Sequence, residues 1–251
     1  MPRPGGACSA YLLQTNDAAV LLDIGPGSVG KLQLATDYAR LDAIVISHMH
    51  ADHFFDLVPL RQGLKYGPLA RDERLPVFVP PGGRAALAAL RGAVAPNAPA
   101  DFFEAAFATQ EYSPMEPLCI KDLRLCFAPT RHYIEGFAVR AGRDGASVTY
   151  SSDTAPCDAV VELARDSSLF LCEASLGLSS EDGERGHSSA EEAGEMASRA
   201  GVGRLVLTHY GAAYSAAALV EAAKRRFNGP VEAADDGAQF SVLGSSRGSE
   251  N

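Results

Sequence analysis

The chain has 251 residues, 47% of them hydrophobic, and a formal net charge of −9. This length and apolar content fit one α/β domain with an ample core, and no apolar run reaches the roughly 18–20 residues a membrane helix needs. The acidic balance argues against a broad nucleic-acid surface, because phosphate backbones are held by clustered lysine and arginine.

Residues 9–13 and 18–24 read as two strands joined by a Thr15-Asn16-Asp17 turn. Gly25-Pro26-Gly27-Ser28 then opens a short helix. The apolar run 43–46 reads as a buried strand, and His48-Met49-His50-Ala51-Asp52-His53 follows on the loop at its carboxyl end. A helix is expected over 53–66, with Pro59 marking a kink or a restart. A strand at 76–79, an alanine-rich helix at 84–91 and a helix over 101–112 complete the first half.

In the second half, 118–128 supplies two strands around Lys121-Asp122, and 136–151 a hairpin around Gly142-Arg143-Asp144-Gly145. Residues 157–165 read as a helix and 169–172 as a buried strand. Residues 188–200 read as a helix with a capping box of Ser188 and Glu191. A strand at 205–208, a helix at 215–227 and a segment ending in sheet over 230–242 follow. No linker is evident, so a single domain over 1–251 is expected.

Five scattered cysteines (Cys8, Cys119, Cys126, Cys157, Cys172) lack Cys-x-x-Cys spacing and read as inert, buried thiols. With no signal-peptide pattern at Met-Pro-Arg-Pro-Gly-Gly, they point to a reducing cytoplasm. The one local basic group, Arg61, Lys65, Arg71 and Arg74, is interrupted by Asp72 and Glu73 and reads as solvated surface.

The hexapeptide carries the chemistry. Its three histidines and one aspartate are ligand types suited to zinc and similar divalent ions. One short loop wraps four such groups around a single tetrahedral ion only with strain. Two neighbouring ions sharing the loop is the more economical geometry, and paired metals are a device for cleaving phosphoesters.

His-x-His-x-Asp-His after a strand resembles the signature of the metallo-β-lactamase superfamily. The resemblance extends through Asp23 in Leu-Leu-Asp-Ile-Gly-Pro-Gly, His132 in Phe-Ala-Pro-Thr-Arg-His, Asp153 in Tyr-Ser-Ser-Asp-Thr and His209 in Leu-Val-Leu-Thr-His-Tyr, in that order and over nearly the whole chain. It implies an α/β fold, the αββα sandwich of two mixed β-sheets with outer helices. It also implies two divalent ions, zinc as first choice with manganese or iron compatible. His48, His50 and His132 would hold the first ion, Asp52, His53 and His209 the second, and Asp153 would bridge them. Asp52 counts among the catalytic groups as well, at a centre where water between two cations becomes the nucleophile. Asp23 would hold a ligand histidine by a hydrogen bond. Relatives begin with an additional strand ahead of the segment Arg3-Pro4-Gly5-Gly6-Ala7-Cys8, so the edge of the first sheet is expected to differ.

His187, in Gly186-His187-Ser188-Ser189-Ala190, and Glu173, in Leu171-Cys172-Glu173-Ala174-Ser175, resemble a paired feature of ribonuclease Z and its phosphodiesterase relatives. There the histidine protonates the leaving oxygen and the glutamate orients it; imidazole is suited to that task near neutral pH. A lactamase of the best-known subgroup would carry arginine at His53, and glyoxalase-type thioesterases set the third-motif histidine in Gly-His-Thr-Pro-Gly. Transfer-RNA processing enzymes of the common bacterial form insert a docking arm between that histidine and the bridging aspartate. Here His132 and Asp153 lie 21 positions apart, filled by one hairpin. Sequences similar over 171–231 include atypical cyclic-nucleotide phosphodiesterases. The expected substrate is therefore a small phosphodiester such as a cyclic nucleotide, with no membrane partner and RNA disfavoured. Ribonuclease Z-type processing stands second and a lactone or thioester hydrolase third. A metal-binding module without turnover is the reading from a different class. A homodimer is the common soluble arrangement.

Overall fold

The computed structural model describes residues 3–179, 181 and 183–242. They form two compact units. The first runs to Pro114 and takes in Ile120–Asp122 and Ile134–Gly136; the second comprises Met115–Cys119, Leu123–Tyr133 and the chain from Phe137 onward.

In the first unit, β1 (Tyr11–Gln14), β2 (Ala19–Leu22), β3 (Ala43–Val45), β4 (Leu75–Val79) and β5 (Phe107–Glu111) form a sheet in that order. β1 runs antiparallel to β2, and the other neighbours are parallel. Every residue of β3 is buried, which is why the sequence there is an unbroken apolar run: a central parallel strand is covered on both faces. The helices are α1 (Ser28–Ala35), α2 (Ala51–Phe54), α3 (Leu57–Tyr66) and α4 (Gly83–Val94). α3 presents Leu57, Leu60 and Leu64, three and four residues apart, to a core shared with Leu21, Ile44, Val77 and Phe107. Each such side chain contributes about 1.5–3 kcal/mol by leaving water.

The second unit holds, but for Ile120, a seven-stranded sheet of β6 (Leu118–Ile120), β7 (Leu123–Pro129), β8 (Phe137–Arg143), β9 (Ala146–Tyr150), β10 (Leu169–Glu173), β11 (Leu205–Thr208) and β12 (Val231–Ala233). Its order is β12-β11-β10-β9-β8-β7-β6. β7, β8 and β9 meander antiparallel, and β9 to β12 are parallel. α5 (Asp158–Leu163), α6 (Ala190–Ala200) and α7 (Ala216–Lys224) complete it. Phe170, Cys172, Met196, Leu205, Leu207 and Leu219 form its core. In both units polar residues end or follow some of the parallel strands at their carboxyl ends, with Asp23 just after β2, Asp153 after β9 and Glu173 ending β10, the place where open α/β sheets build their sites.

Several sequence expectations need correction. Residues 101–106 make turns, and the chain then enters β5 instead of continuing as a helix. Pairing with β4 in the register Leu75↔Phe107 to Val79↔Glu111 overrides the local helical pattern. Pro59 marks a restart: α2 stops at Phe54, α3 starts at Leu57, and proline is tolerated in a first turn, where its missing N–H has no intrahelical partner to lose. The capping box of α6 falls one residue later, on Ser189 and Glu192. Ser188 instead donates to the carbonyl of Thr154 at 2.6 Å. Of the segment 230–242 only Val231–Ala233 is strand. The basic group is not simply solvated. Arg61 is buried with its guanidinium 3.9 Å from the Phe102 ring centre, and Arg71 donates to the carbonyls of Ala39 and Leu41. Of the thiols, Cys172 is buried and Cys119 is exposed.

Candidate metal and catalytic site

The first unit gathers Asp23, His48, His50, Asp52 and His53. Asp23 follows β2, is fully buried and has φ +58°. Its Oδ1 accepts from the Ser47 amide at 2.7 Å, and its Oδ2 from the Ser47 hydroxyl at 2.8 Å. The same Oδ2 lies 2.8 Å from His53 Nδ1. A proton on Nδ1 thus points at the carboxylate, leaving Nε2 as the donor atom toward a cation. His48 follows β3, and its Nδ1 meets the Ser47 hydroxyl at 3.1 Å. Its Nε2 lies 3.2 Å from His50 Nδ1. His53 Nε2 lies 3.9 Å from Asp52 Oδ2.

Two contacts fix this loop, and neither was visible in the sequence. Tyr112 donates its hydroxyl to the Ile46 carbonyl at 3.1 Å; burial, and secondarily the charge of Asp23, pushes this phenol well above its usual pKa, so it stays a donor. Gly25 packs against the hexapeptide so closely that a Cβ there would sit 1.9 Å from the Asp52 carbonyl oxygen. The backbone of Ile24 also ties to both sides of the turn, donating to His53 O at 2.7 Å and accepting from Asp56 N at 3.0 Å.

The second unit gathers His132, Asp153, Glu173, His187 and His209. Asp153 follows β9, Glu173 ends β10 and His209 follows β11. The Asp153 carboxylate has His209 Nε2 at 3.6 Å, His132 Nε2 at 3.9 Å and His187 Nδ1 at 4.0 Å. His132 Nδ1 donates to the Gly186 carbonyl at 2.7 Å, which turns Nε2 toward Asp153. Gly186 is required there, since a Cβ would lie 2.7 Å from that same nitrogen. Glu173 Oε1 accepts from the Thr154 amide at 2.8 Å and faces His187 Nδ1 at 2.9 Å, while Oε2 accepts from the Ser175 amide at 2.9 Å. Burial raises the pKa of Glu173, and the hydrogen bond from His187 works against that rise. Of the other residues beside these positions, Thr154 and Tyr210 donate their hydroxyls to Ala155 O and Ala234 O.

Asp23, Ser152 and His209 all hold φ between +52° and +58°, a region that costs a non-glycine residue roughly 1–3 kcal/mol. All three sit just past the ends of parallel strands, where the sharp turn aims a side chain outward.

The donor spacing fits divalent ions. Two ligands of one tetrahedral ion, each about 2.1 Å from it, stand about 3.4 Å apart. The pairs His48–His50, Asp52–His53, His132–Asp153 and His209–Asp153 lie at 3.2, 3.9, 3.9 and 3.6 Å. The longer three exceed hydrogen-bond length and suit a shared cation. Asp153, His187 and His209 also offer atoms within 4.8 Å of one another.

Fold and donor sets together define the class, a metal-dependent hydrolase with two mixed sheets. The chain belongs to the family described as the Beta-lactamase superfamily domain, which matches residues 19–210 and so runs through both units. It has the metallo-β-lactamase fold. It is similar to the crystal structure of the metallo-β-lactamase fold protein YhfI from Bacillus subtilis, with a TM-score of 0.84 and 25% identity, covering 96% of this chain and 94% of that one. An uncharacterised protein of Mycobacterium tuberculosis is 34% identical, covering 92% of this chain and 84% of its own length. A ribonuclease Z of Methanothermobacter thermautotrophicus is 30% identical, covering 86% and 85%. No helix among the described residues is long and apolar enough to cross a membrane.

Proposed function

We propose that the chain hydrolyses a small phosphodiester, with a cyclic nucleotide as the first candidate. The observation that carries this reading is the Glu173–His187 pair, 2.9 Å apart and 4.0 Å from the Asp153 carboxylate at its nearest. An alkoxide leaving group needs a proton, whereas a thiolate leaves without one. An imidazole whose Nδ1 is held by a buried carboxylate presents its Nε2 to deliver that proton.

His48, His50 and His132 would hold one ion, Asp52, His53 and His209 another, with Asp153 shared; zinc is the first choice, and manganese or iron also suit these ligands. When bound, two such ions supply Lewis-acid charge and an activated water. Asp23 fixes the tautomer of His53, and the Gly186 carbonyl fixes that of His132. Asp52 belongs to the reacting centre through its carboxylate. The five free thiols support a reducing, cytoplasmic setting.

A second reading, 3′ processing of transfer RNA, is favoured by the similarity to a protein named ribonuclease Z. Against it stand the net charge of −9 and the short β8–β9 hairpin, which is all that separates His132 from Asp153 apart from its flanking turns. The test offers 3′,5′-cyclic AMP and a 3′-extended transfer-RNA precursor to zinc- or manganese-loaded protein, with His50→Ala as control. Turnover of the cyclic nucleotide is expected. Efficient RNA cleavage without it reverses the order, and no turnover of either substrate above the control removes the phosphodiesterase reading.

A further inference from the structure

Tyr133 follows His132 directly and is 61% exposed, unusual for a large aromatic side chain. Its ring centre lies 5.2 Å from that of His132 and 5.8 Å from that of His187. The interplanar angles are 50° and 67°, so neither imidazole lies parallel on it, and most of the side chain's area stays open. The ring is nevertheless held in place. It packs on Gly186, where an added Cβ would lie 2.8 Å from two of its carbons. The result is an open aromatic face beside the group assigned as proton donor.

We propose that Tyr133 is the platform on which the base of a nucleotide substrate stacks, which makes it a specificity-determining residue. This deepens the phosphodiesterase reading and rests on it. A flat aromatic face beside a phosphodiester site selects for a substrate carrying a second flat π-system, and a nucleobase is the group that meets that need. Stacking of one base on an aromatic side chain amounts to about 1–3 kcal/mol, or about a 5- to 150-fold change in affinity.

The test is calorimetric binding of AMP to metal-loaded wild type, Tyr133→Leu and Tyr133→Phe, with ribose 5-phosphate as the base-free control. Metal content and melting temperature of each variant establish that the centre and the fold are intact. Tyr133→Leu is expected to weaken AMP binding 5- to 150-fold and leave ribose 5-phosphate unchanged, while Tyr133→Phe binds like wild type. Equal weakening of both ligands would make Tyr133 a prop for His132 and overturn the proposal. So would unchanged AMP affinity in Tyr133→Leu, or wild type that binds ribose 5-phosphate as tightly as AMP. Tyr133-dependent AMP binding without hydrolysis of cyclic AMP would leave the platform standing and bring down the substrate reading instead.

Discussion

Glu173 and His187 act as one unit at the residue scale, and that makes a quantitative prediction. Glu173 is tied down by the amides of Thr154 and Ser175, so its carboxylate cannot swing to another partner. His187→Ala is expected to lower kcat by about 10²–10⁴-fold, the usual worth of a positioned acid. Glu173→Gln puts an amide where two carboxylate oxygens accept, and should lower kcat in the same direction. Because the two groups act in series, the double variant should be no more than about threefold slower than His187→Ala alone; groups in one hydrogen-bonded pair are not additive. Metal content should stay at wild-type level in all three. Loss of an ion from His187→Ala would make His187 a ligand, a role its place beside Asp153 and His209 also allows. Full additivity would separate the two residues.

Strand ends set the geometry at the element scale, and Gly25 is where that can be tested. Gly25→Ala drives a methyl group into the Asp52 carbonyl and within 2.6 Å of Cys8 Cβ. Overpacking of this kind costs about 1–3 kcal/mol, or about 2–4 °C of melting temperature per kcal/mol in a chain of this size. A lowered melt together with reduced metal content is expected; a variant that melts like wild type would mean the loop gives way freely. β10 offers a second test. Burial, then the charge of Glu173, pushes the Cys172 thiol well above its usual pKa, so it stays protonated through neutral and mildly alkaline pH. Iodoacetamide at pH 8 should modify exposed Cys119 and spare Cys172 in the folded protein, read by mass spectrometry. Modification of both would show that β10 opens.

The same scale shows what the sequence carried. Donor residues at strand ends were legible because a short, dense motif follows an apolar run, and because Glu173 and His187 sit in similarly compact motifs. The supports were not. Tyr112 reaches the Ile46 carbonyl across 66 positions, and the Gly186 carbonyl reaches His132 across 54, contacts that leave no local periodicity to read. Residues 101–112 misled for a related reason: an alanine-rich pattern with phenylalanines at helical spacing is also what a turn followed by a strand looks like until its sheet partner is known.

Metal binding is expected to raise stability at the scale of the whole molecule. Each unit presents its own cluster of imidazole and carboxylate groups at strand ends, a concentration of polar groups in buried positions that a bound cation would offset. Chelator-stripped protein should therefore melt lower, and zinc or manganese should restore it. A ligand at 100 times its dissociation constant stabilises by about 2.7 kcal/mol, which here converts to a rise of about 5–10 °C. The response should need both clusters. His50→Ala and His209→Ala each remove one donor from a different unit, and each is expected to shrink the metal-dependent rise in melting temperature. A full rise in both variants would mean the stabilising ions bind elsewhere. A full rise in only one of them would assign the metal to the other unit's donors alone, leaving the shared role of Asp153 without support.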